Sequence, residues 1–134
     1  MSLSTKLPNP FDDYRGSIQP LFHNHSGSIV IITSKSGVQR ANHYHKEDYH
    51  YCYVVSGTIE YFERPACSLI LPKKYIIKTG EMFYTGPNIE HCMYFPEDTT
   101  FLTVGGRTRE QKDYENDLVR ISSLYDIYEG KCIS

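Results

Sequence analysis

The chain has 134 residues, 16 acidic and 14 basic, with a net charge of −2 when its histidines are neutral. That length suits one domain of the usual ~100–200 residues and is enough to bury a core without disulfide or metal staples. The charges are interspersed with no basic stripe, so the electrostatic footprint of a nucleic-acid binder is missing, and no apolar run approaches the ~18 residues of a membrane span.

Four cysteines, Cys52, Cys67, Cys92 and Cys132, form no C-x-x-C pair and read as reduced, mostly buried thiols. The opening MSLSTKLPNPFDDYRG lacks the apolar stretch of a signal peptide, and a cytoplasmic location is expected. Twelve tyrosines with no tryptophan suit strands and half-wet surfaces. They point to an all-β protein with a broad aromatic face, expected to serve as a homodimer interface.

Residues 1–13 hold Pro8 and Pro10 and read as a mobile or loosely docked arm; residues 14–134 read as one domain whose barrel core runs from about 15 to 105. Asp13-Tyr14-Arg15-Gly16 is a turn, Ser17–Phe22 a short strand, and residues 23–27 another turn, with His23 and His25 solvated. Ser28–Ser34, SIVIITS, is β-branched and too short for a helix. Val38–His45 is the next strand, Glu47-Asp48 a turn, and Tyr49–Val55, YHYCYVV, the clearest strand in the chain. Its alternation sets His50, Cys52 and Val54 against Tyr49, Tyr51, Tyr53 and Val55. Thr58–Arg64 reads as its hairpin partner across Ser56-Gly57. Strands at Tyr75–Lys78, Glu81–Thr85, Glu90–Phe95 and Thr99–Val104 follow, separated by Gly, Pro or Asn. Spacing of about 8–12 residues points to a sandwich or barrel. Beyond a charged stretch at 109–116, Asp117–Ile121 is a final strand and Ser123–Tyr128 a short helix capped by Ser123.

His43 and His45 lie two apart, so an extended backbone puts both on one face, roughly 6.6 Å apart at ~3.3 Å per residue. Imidazoles converging from that separation can share one ion at ~2.0–2.1 Å. A turn through Lys46-Glu47-Asp48 brings His50 back to face them, and His91, after the Gly86-Pro87-Asn88 turn, is the fourth candidate.

Gly37, His43, His45, His50 and Gly57 match the spacing G-x5-H-x-H-x4-E-x6-G, with His50 where Glu is usual. Gly80, Gly86, Asn88, His91 and Phe95 follow a second motif, G-x5-P-x-G-x2-H-x3-N, with Gly86, Asn88 and Phe95 departing from it. In both motifs the chain resembles the cupin superfamily. The resemblance implies an all-β double-stranded β-helix (a jelly-roll barrel) with a short C-terminal extension. It also implies one divalent transition metal (Fe, Mn, Ni, Zn, Co or Cu) at His43, His45, His50 and His91. Some sugar-modifying members instead keep the two early histidines as acid/base groups.

A four-imidazole set compensates none of the ion's charge, which raises its Lewis acidity and favours an anionic further ligand. Alternation places Cys52, Val54, Met93 and Phe95 on the metal's face, with Tyr44, Cys92 and, absent a bulge, Arg40 pointing away. Tyr84, near the Gly86 turn, reads as structural, with the cavity mouth as its alternative place. No obvious Asp stands near a His to make the paired base of the deoxysugar epimerases. Two classes follow: a small-molecule enzyme, either a metal-dependent oxygenase or a keto-sugar isomerase or epimerase, and a non-catalytic ligand- or metal-binding module. A roomy polar pocket favours the enzyme; a closed site packed by Cys52, Met93 and Phe95 favours a structural role. The expected partner is a small molecule, with no nucleic acid and no membrane.

Overall fold

The computed structural model describes residues 6–24, 27–107 and 111–131. Eleven strands among them form two antiparallel sheets. The six-stranded sheet runs β1 (Phe11–Asp13), β2 (Gly16–Asn24), β3 (Gly27–Ser34), β10 (Thr99–Gly105), β5 (His50–Ser56) and β8 (Met82–Thr85). The five-stranded sheet runs β11 (Leu118–Arg120), β4 (Gln39–His45), β9 (Ile89–Tyr94), β6 (Thr58–Pro65) and β7 (Lys73–Lys78). No helix among the described residues is long and apolar enough to cross a membrane.

Alternation builds the core as expected. In β5, His50, Cys52 and Val54 are buried while Tyr51, Tyr53 and Val55 are exposed. Val30, Ile32, Val54, Ile59, Phe95 and Phe101 fill the space between the sheets, each fully buried aliphatic or aromatic side chain contributing ~1.5–3 kcal/mol.

Two expectations are corrected, and one segment left unassigned proves helical. The β5–β6 hairpin does not form: β5 pairs with β10 and β8, while β6 pairs with β9 and β7. The chain crosses between sheets at Gly57, where φ is +103° and an added Cβ would meet Thr99 Oγ1 at 2.4 Å and Asp98 O at 2.7 Å. Such a corner excludes any side chain, so the turn redirects the backbone where a two-residue hairpin would fold it back. Phe11–Asp13, expected in a loose arm, is β1, paired with β2 from Phe11↔Ile18 to Asp13↔Gly16. The charged stretch before β11 forms helix α1 (Gln111–Asp117).

The C-terminal helix α2 (Leu124–Tyr128) is capped as expected, Ser123 Oγ accepting from Asp126 N at 3.1 Å. It buries Leu124 against Phe62 and Cys92 in a second, smaller core on the outer face of the five-stranded sheet. Cys92 thus points away from the barrel interior yet is buried, and burial pushes its thiol up to about 12. His25 and Cys132 lie outside the described residues.

Candidate metal centre

The site is assembled on β4 by a defect in its ladder. Arg40 pairs with Met93 and Ala41 with Cys92, but His43 pairs with His91, leaving Asn42 as an extra residue. Ala41 and Asn42 both adopt positive φ, 72° and 56°. Left-handed conformations at non-glycine residues cost of order 1 kcal/mol or more and persist only where surrounding contacts hold them. Here the C-terminal extension does so: Asn42 O accepts from Ile121 N at 3.0 Å and Asn42 Oδ1 from Leu124 N at 3.1 Å. The extra residue shifts side-chain parity by one. Arg40, which a regular strand turns outward, therefore faces inward beside Met93, 6% exposed and lining the cavity. It donates from Nε to Ser34 Oγ at 2.7 Å and from Nη2 to Thr33 O at 3.1 Å.

Beyond the bulge, β4 carries His43 and His45, β9 carries His91 and β5 carries His50, all buried. One donor atom from each of His43, His45 and His91 falls within 4.8 Å of the others. Two donors on one ion stand at most about 4.2 Å apart at ~2.1 Å bonds, so small imidazole rotations close the difference. The His50 ring stands 4.8 Å from that of His45.

The ring nitrogens are oriented for this role. His91 Nδ1 lies 3.0 Å from Ile89 O, and a carbonyl only accepts, so Nδ1 carries the proton and Nε2 the lone pair. His45 Nδ1 donates in the same way to Asp117 Oδ2 at 3.1 Å. His43 Nδ1 is buried with no hydrogen-bond partner among the described residues. Burial pushes His91 down to about 4. Burial and the neighbouring His91, His45 and His50 hold His43 far below the ordinary histidine value. Both are therefore neutral near pH 7, the form in which imidazole binds a metal. An orphaned imidazole nitrogen and two tautomers fixed from behind fit an ion held by this cluster.

The expectation that no Asp stands near a His is corrected twice. Asp117 is 72 positions from His45 in sequence and reaches it because β11 pairs with β4, Leu118 opposite His45. Its carboxylate also accepts from Glu47 N at 2.9 Å and Asp48 N at 3.2 Å, tying down the β4–β5 turn. Asp48, read from sequence only as a turn residue, is 2% exposed, with Oδ2 at 3.5 Å from His50 Nε2. Its burial raises its pKa. Carboxylates are thus present one layer behind the imidazoles, and a Glu in place of His50 would set two of them together in a buried space.

The cluster opens into a cavity of about 500 Å³. Cys52, Phe83 and Met93 make its apolar wall; Thr85, Thr103, Tyr114, Glu115 and Arg120 are among its polar lining. Asn9 and Phe11 from the N-terminal segment close one part and Tyr114 from α1 another, its ring 5.4 Å from that of His45. Tyr84 is absent from the lining and packs on Tyr51 at 4.9 Å on the outer face.

No curated protein matches the sequence. Among solved structures, the capsular polysaccharide assembling protein CapF from Staphylococcus aureus superposes with a TM-score of 0.77 at 18% identity, over 90% of this chain and 35% of its own. The chain therefore spans about a third of the length of that relative. KdgF from Halomonas sp. superposes at 0.65 with 19% identity, over 78% of this chain and 91% of its own. An RmlC-like cupin from Shewanella frigidimarina gives 0.65 and 21%, over 78% and 87%. These likenesses establish the jelly-roll fold expected from the motifs. The family profile described as "Cupin domain" matches residues 29–105, more than half the chain. It spans both motifs and all four clustered histidines, and the chain belongs to the cupin family.

Proposed function

We propose that the protein is a metal-dependent enzyme that moves protons on a small anionic carbonyl compound, in the manner of a keto-sugar isomerase or epimerase. The observation that carries this is the buried His43–His45–His91 cluster opening into a roomy cavity that also holds proton-transfer groups. In this reading the three histidines hold a divalent transition metal and His50 completes the set. A bound ion supplies Lewis acidity that polarises a carbonyl or carboxylate oxygen. The remaining work belongs to the chain. Arg40 and Arg120 line the cavity and favour an anionic group on the substrate. Tyr114 hands a proton to, or takes one from, the molecule lying against the cluster. Asp117 holds His45 in the tautomer whose Nε2 is open. The N-terminal segment and α1 keep water from the reacting face.

A cavity of about 500 Å³ with titratable lining supports an enzyme over a purely structural metal site, which would be closed. The CapF likeness is consistent with a carbohydrate substrate.

Metal analysis of untagged protein tests the ligand set: about one equivalent is expected, and less than roughly 0.2 after loading with Fe, Mn, Ni or Zn overturns it. Proton chemistry is tested by incubating the loaded protein with nucleotide keto-sugars in deuterated water. Metal-dependent deuterium uptake beside the carbonyl is expected. Dioxygen consumption without such exchange would identify an oxygenase instead, and neither would leave a binding module.

A further inference from the structure

Thr85 ends β8 on the inner face of the six-stranded sheet, 3% exposed and lining the cavity. It pairs in register with His50, which sets its Cα about 5 Å from that of a member of the histidine cluster. Tyr61 reaches it from the other sheet. Tyr61 Oη lies 2.6 Å from Thr85 Oγ1 and 3.0 Å from Glu63 Oε2. The Tyr61 side chain is buried and its ring packs 4.5 Å from that of Phe83, so packing holds the phenol in place.

What each group can donate fixes the direction of these bonds. A carboxylate accepts and does not donate, so the single hydroxyl proton of Tyr61 points at Glu63. Burial raises the pKa of the phenol and keeps that proton on it. Tyr61 therefore meets Thr85 with a lone pair, and the Thr85 proton is directed at Tyr61. Toward the cavity Thr85 Oγ1 presents a lone pair: it accepts and does not donate. Among the described residues no other group donates to it. A second hydroxyl stands across β5. Thr103, on β10, pairs with Cys52 and also lines the cavity. It is 5% exposed, and its Oγ1 is buried without a hydrogen-bond partner among the described residues. A buried hydroxyl left unpaired is unfavourable until a ligand meets it.

We infer that Thr85 Oγ1, oriented by Tyr61 and Glu63, is the acceptor for a hydroxyl group of the substrate, with Thr103 Oγ1 meeting a second polar group of the same molecule. The inference deepens the keto-sugar reading above and rests on it. It narrows the substrate class to a carbonyl compound that keeps a free hydroxyl. That hydroxyl sits on the same ring as the carbonyl, because Thr85 stands opposite His50 in the ladder. A carboxylate or a second carbonyl at this place would bring lone pair against lone pair. A plain keto acid has no donor for Thr85, and a sugar has one. Arg40 and Arg120 suit the anionic end of such a molecule, and Thr85 and Thr103 suit its ring. Tyr61 and Glu63 are absent from the cavity lining and act through Thr85, as positioning residues.

The test incubates the Zn²⁺-loaded full chain in deuterated water with a UDP-linked ketohexose, and with its deoxy and deoxyfluoro analogues at each ring hydroxyl. Fluorine accepts a hydrogen bond but has no proton to donate. At one position both replacements should lower kcat/KM for deuterium uptake about a hundredfold. Thr85→Val, which keeps the shape, should bring the hydroxyl compound down to its analogues and erase that difference. Glu63→Gln, at a half-buried position, decides the matter if Thr85→Val fails to fold. It lets the chain of bonds reverse: a glutamine amide donates to Tyr61, Tyr61 to Thr85, and Thr85 into the cavity. In that variant the fluoro analogue should recover about tenfold against the deoxy one. Variants that slow every compound alike, uptake with no sensitive position, or a parent that accepts the fluoro analogue as well as the hydroxyl compound overturns this inference and leaves the keto-sugar reading standing. No uptake from any of the compounds overturns that reading, and the inference with it.

Discussion

Replacing Asp117 with Asn changes the charge behind His45 while conserving shape. The native carboxylate accepts three hydrogen bonds, from Glu47 N, Asp48 N and His45 Nδ1. An amide has one accepting oxygen. With its nitrogen toward His45, the amide meets the Asp48 N–H donor to donor and forces the His45 proton onto Nε2, where it blocks the lone pair. With its oxygen toward His45, the tautomer survives on a weaker, uncharged bond, and the amide nitrogen opposes Glu47 N. Loss of a carboxylate behind a histidine ligand typically lowers metal affinity about 10–100-fold, or ~1.4–2.7 kcal/mol. One buried donor left unpaired costs the fold ~1–3 kcal/mol, lowering the melting temperature of a chain this size by roughly 4–10 °C. Calorimetric titration of the metal-free protein with Zn²⁺ reads the first effect and thermal unfolding the second. An Asp117→Asn variant that binds metal as tightly as the parent would refute the reasoning, whatever happened to its melting temperature.

Gly57→Ala should destabilise the fold by about 3 kcal/mol or more, because its φ of +103° and the 2.4 Å approach to Thr99 Oγ1 leave no room for a methyl group; an unchanged thermal midpoint would contradict the corner geometry. Metal-free protein should lose stability on acidification from about pH 6.5 to 4. The folded pKa of His91, about 4, lies below its ordinary 6.5, so the unfolded chain binds more protons in that window. His43 acts in the same direction. Asp48, its pKa raised by burial, acts oppositely, and two histidines against one carboxylate fix the sign; urea unfolding at several pH values checks it. Alkylation followed by peptide mapping should modify the exposed Cys67 at once, while the buried Cys52 and Cys92 react only on unfolding.

The sequence made alternation legible, and alternation carried most of the fold. His50, Cys52 and Val54 face inward, the two motifs lie on adjacent elements, and Ser123 caps α2 as its position implied. What escaped was non-local. Ser56-Gly57 looks like a hairpin turn because composition does not distinguish a turn that reverses the chain from one that carries it to the other sheet; contact with Thr99 and Asp98 does so. The face of Arg40 could be read only conditionally, because alternation is only as good as the register, and the extra residue that reverses it, Asn42, is fixed by hydrogen bonds from residues 121 and 124. Asp117 had one usable signal: it immediately precedes a strand, and a strand laid beside the His-x-His strand brings the carboxylate at its start to the histidines. That pairing cannot be read from the segment alone, which is charged and short.

Asp117 also sets an order of events. The span matched by the cupin profile ends at residue 105, and His45 waits on a carboxylate twelve positions later (117 − 105). On the ribosome, every strand of the barrel proper emerges before the group that fixes the His45 tautomer exists. The nascent barrel thus holds all four histidines before the carboxylate that orients His45. The hydrogen bond from His45 to Asp117 forms only once β11 has paired with β4. A domain trimmed to the matched span would keep the recognisable motifs and lose the partner of His45 Nδ1.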